Sequence, residues 1–104
     1  MAFWDSEVKT GESVDVVVEE GSILQFVQAN FGEVKEDTED ESVCLHITFD
    51  NKKKKKKKIV VGSLHPKRCP QLQFMLCLNK NFQISHNGKH VSFYCYGTKH
   101  NNRR

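Results

Sequence analysis

The amino-acid sequence predicts an all-β domain, an eight-stranded antiparallel sandwich or jelly roll. In several short runs apolar residues recur at every second position, as in strands with one buried face. Glycine, proline and asparagine separate these runs, and no segment repeats its apolar residues every 3.6 positions. A chain of 104 residues is expected to form one domain with one modest core.

Three strands are predicted in the first third of the chain. The segment Glu7–Lys9 places one valine between two charged residues ahead of a turn that contains glycine. The next segment, Val14–Val18, is rich in β-branched valine and ends before a second glycine. The third, Ile23–Ala29, is mostly apolar and is followed by asparagine and glycine, which favour turns.

A central hairpin is predicted from the clearest alternation in the sequence. Every odd-numbered residue of Val43–Phe49 is apolar, and the residues between them are polar or small. The β-branched run Ile59–Val61 follows and reads as the partner strand. Residues 51–58, one asparagine and seven lysines, would form the loop between the two strands.

Three further strands are predicted in the second half. Two prolines exclude residues 65–70 from the middle of a sheet. The segment Leu72–Leu78 is apolar at its even positions and partly apolar at its odd ones, Phe82–Ile84 is short, and Val91–Tyr96 alternates again. We expect a core domain over residues 1–97 and a polar, basic tail over residues 98–104.

Charge is divided sharply along the chain. Residues 1–50 hold all 13 acidic residues and only two basic ones, Lys9 and Lys35, for a net charge of −11. Residues 51–104 hold the other 14 basic residues and no acid. This polarity indicates charged partners, or complementary contacts between copies of the chain.

Acidic residues are most frequent in a predicted loop at residues 33–41. Its acidic residues are Glu33, Glu36, Asp37, Glu39, Asp40 and Glu41. One interpretation is a solvated surface tract without a partner. The other is a binding site for histones or other basic proteins, which these carboxylates would attract at long range.

The lysine run admits three interpretations. It consists of Lys52, Lys53, Lys54, Lys55, Lys56, Lys57 and Lys58. It could be a solvated hairpin tip that keeps an edge strand from pairing with another sheet. It could be a nuclear import signal, or a patch that binds the phosphates of DNA or RNA. No aromatic residues interleave with the lysines, which argues against base-specific recognition.

Catalytic, metal and membrane motifs are weak or absent in the sequence. His86 and His90 have a metal-ligand spacing but span a predicted turn, so we interpret them as exposed hairpin histidines and expect no cofactor. There is no Gly-x-Ser-x-Gly elbow, and the four cysteines lack a Cys-x-x-Cys pair and are expected to be reduced. No apolar run approaches the roughly 20 residues of a membrane span, and the start lacks a secretory signal, so we expect a cytosolic or nuclear protein without a membrane partner.

The order of short motifs along the chain resembles one family over Met1 to about Tyr96. These motifs are Phe3-Trp4, Glu7-Val8-Lys9 with Gly11, Glu20-Gly21, Gln28-Ala29, Gly32-Glu33, Leu45-His46, Val61-Gly62-Ser63-Leu64, Pro70-Gln71-Leu72, Phe82 and Ser85-His86. They are similar to the nucleoplasmin-like N-terminal domain of plant-type nucleolar histone deacetylases, the HD-tuins. A related domain precedes certain nuclear prolyl isomerases of the immunophilin type.

The resemblance implies an eight-stranded jelly roll that forms a homopentamer, with a decamer of two rings as the alternative. It also implies a chromatin protein of the nucleus, and more narrowly of the nucleolus, that acts as a histone chaperone by holding basic partners with acidic tracts. The loop at residues 33–41 occupies a place where nucleoplasmins often carry such a tract.

The departures from the family bear on enzymatic activity. The deacetylase site assigned to the plant enzymes uses a histidine and an aspartate, and the matching positions here are Gln25 and Met75. Glutamine is not a general base near neutral pH, and methionine cannot orient one. We therefore predict a non-enzymatic domain. The alternatives are a deacetylase-related enzyme that uses His46 or His86, and a nucleic-acid-binding module that acts through the lysine run.

Overall fold

The computed structural model describes residues 1–35, 40–50 and 56–101, and in these ranges the chain forms eight strands and no helix. The strands are β1 (Ala2–Val8), β2 (Val14–Val16), β3 (Ser22–Val34), β4 (Val43–Asp50), β5 (Lys56–Leu64), β6 (Gln71–Leu78), β7 (Phe82–His86) and β8 (Val91–Asn101). The all-β prediction is confirmed, and each predicted strand overlaps an observed one. No helix in the described residues has the length and hydropathy needed to cross a membrane.

The strands form two four-stranded sheets. Sheet A has the order β1-β8-β3-β6 and sheet B the order β2-β7-β4-β5. Every pairing between these strands is antiparallel. The predicted central hairpin is present as the β4–β5 pair, and it forms one edge of sheet B. β8 lies inside sheet A, between the first strand and the third, so strands distant in sequence pair in space.

The core lies between the two sheets and is built from the inward side of each alternation. Phe26 of β3 is fully buried, with its ring edge-on to Trp4 at 5.6 Å and to Phe74 at 4.6 Å between ring centroids. Phe93 of β8 is also fully buried and contacts the rings of Phe31 and of His86. Sheet B contributes buried aliphatic residues, among them Leu45, Ile47 and Ile84.

Several strands extend further than the sequence predicted. β3 continues to Val34, so Glu33 belongs to a strand and not to the predicted loop. β5 begins at Lys56, so the last three lysines of the run are extended and pair with Thr48, Phe49 and Asp50 of β4. β8 continues to Asn101, so residues 98–101 are not part of a basic tail. The sequence does not reveal these strand ends, because their side chains are polar and show no apolar alternation. Backbone pairing with a neighbouring strand, and not burial, keeps these residues extended.

Side-chain hydrogen bonds hold the turns between strands. Thr10 Oγ1 donates to the Val91 carbonyl at 2.6 Å and accepts from the Val91 N–H at 2.9 Å, which ties the β1–β2 turn to β8. His65, a buried residue after β5, accepts at Nδ1 from the N–H groups of Lys67 and Arg68, both at 3.1 Å. These bonds satisfy backbone donors in a segment where proline prevents regular pairing.

Gly97 of β8 lies so close to β3 that no side chain fits at this position. A Cβ atom at this position would collide with the backbone carbonyl of Gln25 in β3. At Gly62 of β5, by contrast, an added Cβ would meet the terminal methyl group of Leu72, which can rotate away. Backbone in the middle of a sheet cannot move aside without disturbing the ladder.

We expect Gly97→Ala to destabilise the domain by roughly 2 kcal/mol or more, because overpacking against fixed backbone is costly. Gly62→Ala is the matched control and should cost clearly less. Urea unfolding of the two variants at equal protein concentration measures both values. Equal losses of stability would contradict the close approach of β8 to β3.

Candidate binding surfaces

The predicted acidic loop joins the end of sheet A to the start of sheet B. β3 ends at Val34, where the Lys35 N–H donates to the His90 carbonyl at 3.3 Å, and β4 begins at Val43. Before that bond, the Glu33 N–H donates to Ser92 Oγ at 2.9 Å. Both ends of the predicted loop are therefore anchored to regular structure.

Three of the six predicted acidic residues are described, and all three are exposed. They are Glu33 at the end of β3 and Asp40 and Glu41 ahead of β4. Asp40 approaches Lys67 Nζ at 3.7 Å, and its side chain is 86% exposed. Such a surface ion pair contributes little stability and gives way easily to another cation. The other three, Glu36, Asp37 and Glu39, lie outside the described residues.

More carboxylates lie beside this loop than the sequence pattern indicated. Glu7 of β1 lies opposite Tyr94 of β8 in the strand register. The hydrogen bond to Glu7 and its negative charge raise the pKa of Tyr94, and Glu33 adds to the effect. Tyr94 also covers Gly32, where a Cβ atom would meet the tyrosine ring at 2.6 Å. The loop thus adjoins a second acidic position that comes from the other end of the chain.

The described lysines of the run lie on an edge strand. Lys56, Lys57 and Lys58 are exposed on β5, the edge of sheet B, and Lys52–Lys55 lie outside the described residues. Burial lowers the pKa of His46 on the adjacent β4, and the positive charge of Lys58 lowers it further. The exposed ammonium groups of these three lysines can reach an anion in solution.

Gln25 and Met75, which stand where the family resemblance implies a histidine and an aspartate, are close to one another on sheet A. Gln25 pairs with Cys77 of β6, two residues from Met75. Gln25 accepts a hydrogen bond from Thr98 Oγ1 at 3.4 Å, and Met75 is 64% exposed. Neither side chain ionises, so together they provide no proton acceptor of useful basicity.

His86 has a structural role that the sequence interpretation missed. His90 is exposed as expected, but His86 is half-buried against Phe93. Its Nε2–H donates to the Val8 carbonyl at 3.2 Å and its Nδ1 accepts the Gly88 N–H at 3.1 Å. With both ring nitrogens engaged, His86 links β7, β1 and the following turn. The described residues contain no group of three or more metal-ligating side chains.

The pH dependence of stability follows from these contacts. Burial lowers the pKa of His86 below its ordinary value of 6.5, opposed by hydrogen bonds to the backbone of Val8 and Lys9, and the charge of His46 lowers it further. The unfolded chain therefore binds this proton more readily than the folded one. The stabilising contribution is complete above pH 6.5 and is lost as the pH falls through the folded pKa.

We expect His86→Gln to reduce the loss of stability between about pH 8 and about pH 5.5. Urea unfolding at both pH values measures it, at constant protein concentration. His90→Gln removes an exposed histidine and should keep the pH dependence of the original chain. A pH dependence that is identical in the two variants would contradict the assignment to His86.

The two antiparallel sheets and their strand order define a nucleoplasmin-type jelly roll. The chain belongs to the nucleoplasmin-like domain family, whose model matches residues 3–98. It is similar to the Drosophila NLP core with a TM-score of 0.77 and 17% sequence identity, over 96% of this chain and 99% of that one. The crystal structure of that protein was reported to give insight into pentamer formation and histone binding.

Among characterised sequences, the chain is similar to plant histone deacetylases of the HDT type. It is 42% identical over 102 residues to HDT1 of Solanum chacoense, which covers 98% of this chain and 36% of that protein. It is 37% identical to HDT1 of Arabidopsis thaliana, over 95% of this chain and 38% of that protein. The chain therefore spans little more than a third of the length of these relatives.

Proposed function

We propose that this domain is a non-enzymatic, histone-binding module of a nuclear chromatin protein and that it assembles as a homopentamer. The observation that carries the proposal is the placement of exposed carboxylates at both anchored ends of the 33–41 loop, on a nucleoplasmin-like fold. Two comparisons support it, because the similar plant proteins are named histone deacetylases and the similar Drosophila core is described with histone binding. A nucleolar location and a decamer of two rings are narrower forms of the same proposal.

The proposed mechanism is long-range attraction followed by multivalent contact. Basic histone segments would meet Glu33, Asp40 and Glu41 together with the rest of the loop. One loop of exposed carboxylates binds weakly, because water and salt screen each charge. Repeating the loop around a ring raises the effective concentration of sites and hence the overall affinity.

The domain is proposed to act without catalysis because its own residues do not supply a proton-transfer pair. Gln25 and Met75 stand where the family resemblance implies a histidine and an aspartate. His86 is one of the alternative candidates, and both of its ring nitrogens are already hydrogen-bonded to backbone groups. Activity on acetylated histone peptides that disappears on substitution of His46 or His86 would overturn this part of the proposal.

Neutralising the loop tests the binding mechanism. We expect the combined change of Glu36, Asp37, Glu39, Asp40 and Glu41 to glutamine or asparagine to weaken histone binding by about tenfold or more. Binding of the unchanged domain should weaken steeply as salt rises from about 0.1 M to about 0.5 M. Fluorescence titration with labelled histones measures both effects.

A control variant that loses the same number of charges distinguishes an effect of the loop from an effect of net charge. Glu39→Gln, Asp40→Asn and Glu41→Gln remove three loop charges, whereas Glu12→Gln, Glu19→Gln and Glu20→Gln remove three exposed charges elsewhere. The first set should weaken binding more than the second. Equal effects, or binding insensitive to salt, would contradict a loop-centred site.

Nucleic-acid binding is a second candidate function, favoured by three consecutive exposed lysines on the β5 edge. Replacing Lys56, Lys57 and Lys58 by threonine keeps a residue type that suits a strand. Each lost phosphate contact should reduce the salt slope of DNA affinity by about 0.9. The control replaces three exposed lysines outside the run, Lys80, Lys89 and Lys99. If the first variant loses DNA and histone binding equally, the two sites are not separate.

A further inference from the structure

The outward side of sheet A is unlike the rest of the surface. Its register aligns Phe3, Thr98, Gln25 and Cys77 in one row across all four strands. Phe3 is 91% exposed, and Met75 beside this row is 64% exposed. We define the outer face of sheet A by six of its residues: Phe3, Gln25, Met75, Cys77, Tyr94 and Tyr96.

This face carries almost no charge, although 28% of the chain is charged. The outward positions from Gln25 to Asn30 on β3, along β6, and from Tyr94 to Thr98 on β8 carry no acidic or basic residue. Charges on its rim include two carboxylates of β1, Asp5 and Glu7, and Glu33 near the end of β3, whose charge acts on Tyr94. Aromatic residues and methionine with few charges are typical of the buried centre of a protein interface.

A complementary surface exists on the other sheet. β5 is an edge of sheet B, and its outward side exposes Val60 beside Lys56 and Lys58, whereas Ile59 pairs with the buried Ile47 and lies on the core side. The apolar Val60 and the positive charges of Lys56 and Lys58 therefore match apolar side chains and negative charges on the outer face of sheet A. A ring of identical subunits requires two different, mutually complementary surfaces on each copy. The chain carries such a pair.

We propose that the outer face of sheet A of one subunit packs against β5 of the next subunit; this inference rests on the proposed assembly into a ring. Phe3, Met75 and Tyr96 form its apolar centre with Val60. Asp5 and Glu7 meet the lysines of β5 at its rim. Packing the outer face against the same face of a second copy would close after two subunits and would leave β5 uncovered.

The uncharged residues at the family's catalytic positions fit this contact. Gln25 and Met75 both lie on the outer face of sheet A. An ionised side chain there would have to be desolvated when the next subunit covers it, whereas glutamine and methionine avoid burying an ionised group. These two residues thus keep the cost of burying this face low.

The first experiment is the sedimentation mass of single-site variants. Met75→Glu and Phe3→Glu place a charge in the centre of the contact and should shift the mass to that of a single chain. Both residues are exposed in the subunit, so the fold should survive, which cooperative unfolding checks. Val17→Glu is the matched control, because Val17 is 62% exposed but lies outside both sheet A and β5.

The outcomes separate the inference from the proposed function. A single-chain mass for the unchanged protein would overturn the ring and this contact together. A multimer that Met75→Glu and Phe3→Glu leave intact would overturn only the contact proposed here. Dissociation by Val17→Glu to the same extent would also overturn it, since the effect would then not depend on the face.

Charge exchange tests the partner element. The Asp5→Lys, Glu7→Lys variant and the Lys56→Glu, Lys58→Glu variant should each dissociate at concentrations about tenfold higher than the original protein. Combining all four changes should restore the original midpoint. Failure of the combination to restore assembly would exclude β5 as the complementary surface.

Cysteine labelling gives an independent readout of the same contact. Cys77 is exposed on the outer face of sheet A, whereas Cys95 is buried, and burial raises the pKa of its thiol to about 12. In a Cys44→Ser, Cys69→Ser background, alkylation of Cys77 should be slow in the assembled protein and fast after Met75→Glu. Rapid alkylation of Cys77 in the intact multimer would show that this face is open.

Discussion

The position of β8 between β1 and β3 is the constraint on which the rest of the structure depends. β8 pairs with β1 from Ala2 to Val8 and with β3 over most of its length, so both ends of the chain meet in one sheet. Gly97 makes this possible, because any side chain there would collide with β3 backbone. Loss of this close approach would separate β1 from the sheet and expose the core that Trp4 helps to cover.

The same pairing fixes what the two surfaces of sheet A present. The inward residues of β8, such as Phe93 and Cys95, are fully buried against the other sheet. Its outward residues place Tyr94 opposite Glu7 and Tyr96 opposite Asp5. One register therefore sets the core and the composition of the outer face, and a slip of one residue would exchange the two.

The fold class could be predicted from the sequence because burial of one face of a strand makes apolar residues recur at every second position. The alternation in Val43–Asp50 and in Leu72–Leu78 reports directly which side of the sheet is buried. The ends of β5 and β8 show no such alternation, since lysine, threonine and histidine there are held by neighbouring strands. Strand order could not be predicted either, because no local sequence pattern indicates that β8 pairs with β1.

The candidate sites divide in the same way. The acidic run at residues 33–41 could be recognised from composition, since a dense run of carboxylates needs no partner in space, and its role as a binding site stays a prediction. Its neighbour Glu7 could not be recognised in this way, because only the β1–β8 register brings it to Tyr94. His86 was interpreted as an exposed residue because its contacts come from Val8, far away in sequence. Patterns in the sequence identify runs of similar residues. A surface made of residues from several strands can be identified only when the strand order is known.

The two halves of the chain supply the two sides of the proposed subunit contact. The first half supplies the carboxylates of the 33–41 loop and of the β1 rim, and the second half supplies the lysines of β5. In the proposed assembly, lysines of the next subunit would neutralise the rim carboxylates Asp5 and Glu7, and the 33–41 loop would keep its charge for basic proteins. A chain with intermixed charges would lack this division, because attraction between subunits and attraction to histones would compete for the same groups.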